Sequence, residues 1–363
     1  MIPVARPEIG EGEIQAVAEV LQSGQLVQGA RVREFEARVA AYLGTKHAVA
    51  VSSGTAALHL ALLGLGIGPG DEVLVPDFTF PACANAVELT GATPVLIDID
   101  LATFNLDLDG IRPALTPRTK ALMPVHMFGQ PADMEPVLAI AREKGLLVVE
   151  DAACALGSEY RGRRCGGLSD VGCISFHPRK VITTGEGGML ATNDLALAER
   201  LRVLRNHGQV VSEGRIRFEQ AGFNYRMTEF QGALGVVQMD RLESFIERRI
   251  ALASLYDQAL EGVHGLRRPR SPEGMRCSWQ SYVVLVAPGV DREALRERLR
   301  VAGIETTIGT YSVSSQPHYA GRCRPLPRSG EAYARGLSLP LHTRMTDADV
   351  AAVANALRAA LGA

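Results

Sequence analysis

Short apolar runs separated by helical segments restrict the fold of this chain more than any other feature. Residues 72–75, 94–97, 121–125, 146–149 and 173–176 are β-branched or apolar almost throughout, a pattern that predicts strands buried on both faces. Helical segments such as Met134–Lys144 fall between several of them, and such crossovers are what parallel strands require. The expected fold class is therefore α/β, a mainly parallel sheet covered by helices.

Other segments fill in the organisation. Ile14, Val17, Ala18 and Leu21 share one helical face and Gly24 follows, predicting a helix over 11–22; another starts near Thr55. From Arg249 the texture changes to a helix over 250–260, a strand over 281–286 and a helix opened by Asp291 and closed by Gly303. The last helix carries a capping box of Thr346 and Asp349, with Val350, Val353 and Leu357 on one face. We expect a large domain over 1–248 and a smaller α+β domain over 249–363. A chain of 363 residues that is 47% hydrophobic can supply both cores.

Charge and cysteine usage exclude several classes. Lys and Arg number 38 against 40 Asp and Glu, and the basic stretches at Arg161–Arg164 and Arg248–Arg249 are isolated. No nucleic-acid footprint results. Cys83, Cys154, Cys165, Cys173, Cys277 and Cys323 form no CxxC pair, so neither a metal site nor a disulfide framework is indicated. The opening MIPVARPEIGEGE lacks a signal-peptide pattern, and the most apolar stretch, 56–67, is too short to span a bilayer. A cytoplasmic protein without membrane attachment is expected.

Three segments suggest chemistry. Lys180 follows a buried run and precedes the turn TTGEGG, placing it beyond a strand's carboxyl end, where open α/β sheets bind ligands. A lysine shielded from water there can shed its proton and attack an aldehyde as a Schiff-base lysine. Asp151 follows the run LLVV and Glu150 at another strand end; a carboxylate there can keep a pyridine nitrogen protonated. Ser52-Ser53-Gly54-Thr55 opens an apolar helix, whose unpaired N–H groups favour a phosphate. Taken singly, each has an ordinary reading: a solvated loop lysine, an N-cap aspartate, a Ser/Thr cap. A lysine, an acid and a phosphate cup together point to pyridoxal phosphate.

The blocks SSGTAALHLAL, PDFTFPACANAV, PVHMFGQPADM, EDAACALGS, SFHPRKVITTGEGG, LRNHG and FNYRMTEFQGALG occur in that order. With them the chain resembles the DegT/StrS family of sugar aminotransferases over nearly its whole length. The resemblance implies a fold-type I aminotransferase dimer in which Lys180 carries pyridoxal phosphate and Asp151 pairs with its ring nitrogen. It further implies that Phe80 stacks on the ring, that Gly54, Thr55 and Ser175 hold the phosphate, and that Asn224 reaches the neighbouring subunit's cofactor. By itself Phe80 could be core and Asn224 a turn residue. The implied reaction moves an amino group from L-glutamate to a nucleotide-linked keto sugar, with Lys180 also acting as general acid and base. Gln28 and Tyr311 are candidates for lining the sugar cleft.

Two departures stand out. Cys154 occupies a cofactor-contacting position where many members carry Gln, and Ser314 and Ser315 stand in a loop where many place a histidine. Related sugar dehydratases replace the lysine by histidine, so Lys180 ranks dehydration below transamination; the intact Lys180, Asp151 and phosphate cup likewise rank a non-catalytic regulatory role below it. The glycine-rich stretch Gly64–Gly70 follows a helix and lacks the GxGxxG spacing, so it reads as a loop and not as a dinucleotide site.

Overall fold

A computed structural model describes residues 1–362. Its centre is a seven-stranded sheet of β1 (His47–Val51), β2 (Glu72–Pro76), β3 (Thr93–Ile97), β4 (Thr119–Leu122), β5 (Leu147–Asp151), β6 (Val171–Ser175) and β7 (Gly188–Thr192), ordered β1-β7-β6-β5-β4-β2-β3. From β6 to β3 every pairing is parallel, whereas β7 runs antiparallel to both neighbours. The expected α/β architecture is present. The reversal at β7 has a local cause: no helix separates it from β6, so the chain returns through the loop 176–187 instead of crossing over. Lys180 sits on that return.

Strand bounds differ from the sequence reading where backbone chemistry intervenes. The run 121–125 stops pairing regularly at Leu122, because Pro124 offers no N–H; Val125 keeps one isolated bridge, to Asp151. Strand β5 extends beyond 149 to include Glu150 and Asp151, so the acid is the strand's last residue. The helices Glu11–Ser23, Gly54–Gly64 and Met134–Lys144 form where the periodicity predicts them.

A second sheet, ordered β8 (Leu266–Arg267), β9 (Tyr282–Val286) and β10 (Gly336–Leu339), is wholly antiparallel. The helices Arg292–Val301 and Asp347–Leu361 contribute to its core. Asp291 caps the first by accepting from Ala294 N–H at 3.0 Å, and Thr346 and Asp349 cap the second reciprocally.

The helix expected over 250–260 is instead Glu229–Ala259, one continuous rod of 31 residues. Val236, Leu242, Phe245 and Ile246 pack into the core beneath the large sheet, while Leu252, Ala253 and Tyr256 pack into that of the small one. We propose the division near residue 248 on this change of core; the boundary lies inside a helix shared by both units. A two-residue ladder, Phe78–Thr79 against Tyr311–Ser312, joins them again. No helix among the described residues is long and apolar enough to cross a membrane.

Candidate active site

The carboxyl ends of β5 and β6 open onto a cavity of about 690 Å³, walled on the far side by residues 307–310 and 338–341. The helix Gly54–Gly64 points its N-terminus into this space. Ser53 caps it, its Oγ accepting from Ala56 N–H at 3.1 Å, which leaves the N–H groups of Gly54 and Thr55 without a helical partner. Ser175, the last residue of β6, lies against Gly54 so closely that a Cβ on Gly54 would sit 2.8 Å from the serine Cβ. Strand β7 closes the other side: a Cβ on Gly188 would come 2.2 Å from Ser53 O. Two unpaired N–H groups, a hydroxyl and a helix dipole thus converge in a cradle with no room for extra side-chain atoms.

Lys180 and Asp151 both line the same cavity. Lys180 Nζ donates to Cys154 Sγ at 3.0 Å. Burial alone draws the lysine down, but Cys154, Asp151 and Cys83 outweigh it and hold the ammonium above its usual range. The sequence reading had a shielded lysine that sheds its proton readily; the structure supplies neighbours that work against that shedding. Asp151 accepts Ala153 N–H at 2.9 Å and Cys83 Sγ–H at 2.9 Å. Burial, followed by the Asp151 charge, pushes the Cys83 thiol well above its usual value, so it serves as a donor to the carboxylate.

Support for Asp151 comes from behind the sheet end. Asp151 N–H donates to Pro124 O at 2.9 Å, and His126 N–H donates to Asp151 O at 3.0 Å. His126 is fully buried; its Nδ1 accepts Ala132 N–H at 2.9 Å, so its Nε2 carries the hydrogen and donates to Glu150 at 2.7 Å. Glu150 also accepts N–H groups of Gly166 and Leu168. Successive residues of β5 therefore face opposite ways: Glu150 is anchored behind the sheet and Asp151 opens on the cavity.

Of the residues singled out from sequence, Gly54, Thr55, Phe80, Asp151, Cys154, Ser175 and Lys180 line the cavity together. Phe80 is 62% exposed there, an uncovered aromatic rather than core. Tyr311 does not line the cavity; its ring packs edge-on against Phe80, with centroids 6.2 Å apart. Gln28 borders a separate depression with Asn206, His207 and Arg226, and its Oε1 is buried without a partner. Asn224 is exposed and bridges to Asn206 beside that second depression. Neither reaches the Lys180 cavity of its own chain. Sequence reasoning missed Cys83, although its place one turn after Phe80 put it on the same side of the segment. It also missed His177, Arg179, Glu186 and Gln280, which complete the lining; these polar residues carry no local pattern that marks them.

A sequence model of one protein family matches residues 7–358, nearly all of the chain. The chain belongs to the DegT/DnrJ/EryC1/StrS aminotransferase family. It is 42% identical over 361 residues to GDP-perosamine synthase of Caulobacter vibrioides, covering 98% of this chain and 97% of that protein. Among solved structures, the aminotransferase TlmJ from Streptoalloteichus hindustanus superposes with a TM-score of 0.95 at 39% identity, over 100% and 99% of the two chains. Spr1654 from Streptococcus pneumoniae, solved in a PLP form, gives 0.94 at 29% identity over 99% and 98%. The chain is thus a fold-type I aminotransferase that depends on pyridoxal phosphate.

The residues present fit that cofactor. The cradle at Gly54 and Ser175 suits a phosphate and the exposed Phe80 ring an aromatic face. An amine and a carboxylate complete the donor set, both opening on the same cavity.

Proposed function

We propose that this DegT/StrS aminotransferase transfers the amino group of L-glutamate to a ketone on a nucleotide-linked sugar, and that it acts as a homodimer with shared active sites. When bound, pyridoxal phosphate supplies an aldehyde that captures amines and a ring that accepts electrons. Lys180 Nζ would hold it covalently and, as a free amine, would take up and return a proton at Nζ as general base and acid. Asp151 would keep a ring nitrogen protonated, with the Cys83 hydrogen bond orienting the carboxylate. Gly54, Thr55 and Ser175 would hold the phosphate and Phe80 would cover one ring face, while Cys154 lies beside the lysine.

Asn224 and Gln28 act from the partner copy, which accounts for both lying away from their own chain's cavity. Tyr311 shapes the sugar cleft through Phe80. The likeness to GDP-perosamine synthase supports a nucleotide-linked acceptor.

The observation that carries this reading is the convergence of Lys180, Asp151 and the N-terminus of the helix Gly54–Gly64 on one cavity. Its test is to add L-glutamate to the purified, cofactor-loaded protein. Loss of the visible cofactor band with release of 2-oxoglutarate is expected, followed by recovery of the band when a nucleotide-linked keto sugar is supplied. A band indifferent to glutamate would overturn the donor assignment, and recovery with free keto sugars alone would overturn the nucleotide.

A further inference from the structure

Six thiols are free, and they differ sharply in surroundings. Cys83, Cys165, Cys173 and Cys277 are buried; Cys154 and Cys323 are partly exposed. Cys154 alone among them opens on the cavity and also has an amine within hydrogen-bond reach, Lys180 Nζ at 3.0 Å. Cys83 touches the same cavity but faces the Asp151 carboxylate.

We propose that Cys154 and Lys180 form an oxidation-sensitive pair, in which a hydroperoxide joins Sγ to Nζ through a sulfur–nitrogen bond and thereby blocks cofactor capture. The sulfur attacks one peroxide oxygen, the O–O bond breaks, and water (or an alcohol) leaves, giving a sulfenic acid. The Lys180 amine then attacks that sulfur, the S–O bond breaks, and a second water leaves. Sulfur is oxidised by two electrons and the peroxide is reduced by two; no further reagent is needed. Lysine's flexible four-carbon stem closes the remaining gap without backbone movement. A thiol reductant cleaves the S–N bond and restores both side chains.

The inference uses the proposed function only in treating Lys180 as the cofactor's amine. With cofactor bound, that amine is engaged and the pair is protected; without it, the pair is open to peroxide.

Full-length protein stripped of cofactor is treated with dilute hydrogen peroxide, and intact mass and peptide maps are recorded. The expected result is loss of two hydrogens, with the peptides bearing Cys154 and Lys180 linked. Pyridoxal phosphate added afterwards should give almost no lysine-bound absorption band until a thiol reductant restores it fully, and loading the cofactor first should prevent the link. In Cys154→Ser the link should be absent; the wild-type peptide map decides the matter even if that variant misfolds. Oxygen added at Cys154 without a link to Lys180, a disulfide from Cys154 to another cysteine, or an unmodified Cys154 would each overturn the proposal. The mass readout needs no transamination, so failure of the glutamate assay leaves it interpretable.

Discussion

The Asp77 carboxylate accepts the Ser312 hydroxyl at 2.7 Å across 235 residues of chain, and its other oxygen accepts the Ser314 N–H at 2.6 Å. Asp77 and Ser312 are both fully buried, and the ladder between Phe78–Thr79 and Tyr311–Ser312 begins beside them. The loop carrying Ser312 and Ser314 is thereby latched to the large sheet. Asp77→Ala would leave those donors without partners, and about 1–3 kcal/mol of stability should be lost, visible as a lower midpoint in denaturant.

Asp77 also predicts a pH dependence. Burial raises its carboxyl, and the Ser314 N–H and Ser312 hydroxyl only partly oppose this. A carboxyl whose folded pKa is raised favours the folded state fully below its unfolded value of about 3.9. That contribution fades as pH rises through the higher folded value. The stability of Asp77→Asn relative to the natural chain should therefore increase from about pH 4 upward, as urea titrations across that range would show. A constant difference would mean that the carboxyl does not titrate there.

Lys180→Ala removes both the anchoring amine and the proton carrier. General acid–base catalysis contributes roughly a hundredfold to ten-thousandfold, so both half-reactions should slow by at least about a hundredfold in stopped-flow assays with glutamate and with the acceptor. Turnover at the natural rate would rule out the assigned role.

Asp151→Asn keeps the shape of the side chain and the contact from Cys83 but removes the charge proposed to pair with the ring nitrogen. Cofactor should still be captured, whereas kcat should fall by roughly a hundredfold or more, in line with loss of a preorganised electrostatic contact. Cofactor titration and steady-state kinetics on one preparation separate the two effects.

Gly54→Ala would force a Cβ to 2.8 Å from Ser175 Cβ. Overpacking of this kind costs about 1–3 kcal/mol, here charged to the phosphate cradle. Affinity for pyridoxal phosphate should drop by roughly tenfold to a hundredfold, as equilibrium dialysis would measure, with unfolding of the cofactor-free protein shifted less.

Much of the fold was legible because burial leaves a local record. The helix Met134–Lys144 and the five apolar runs could be read from periodicity, and the Thr346–Asp349 box marked its helix start. Only the last third of the helix Glu229–Ala259 is legible in the sequence: its weak amphipathic pattern follows from burying one part in each of two cores. The antiparallel return to β7 left a trace only in the missing helix between 176 and 187. Among site residues, those in the lysine, aspartate and phosphate blocks announced themselves. Cys83, His177 and Gln280 did not, because a cavity wall drawn from separate segments has no period.

The sequence by itself determined the local elements, the caps that bound them and the position of Lys180 just past a buried strand, since propensity and apolar patterning act over a few neighbouring residues. Only the tertiary structure decided that Cys154 meets the lysine, that Cys83 meets Asp151, and that Gln28 and Asn224 face away from their own cavity. It also placed the neighbours that hold Lys180 as ammonium. Hydrogen bonds and charge interactions work through a few ångströms of space, and chain distance says little about which groups share it.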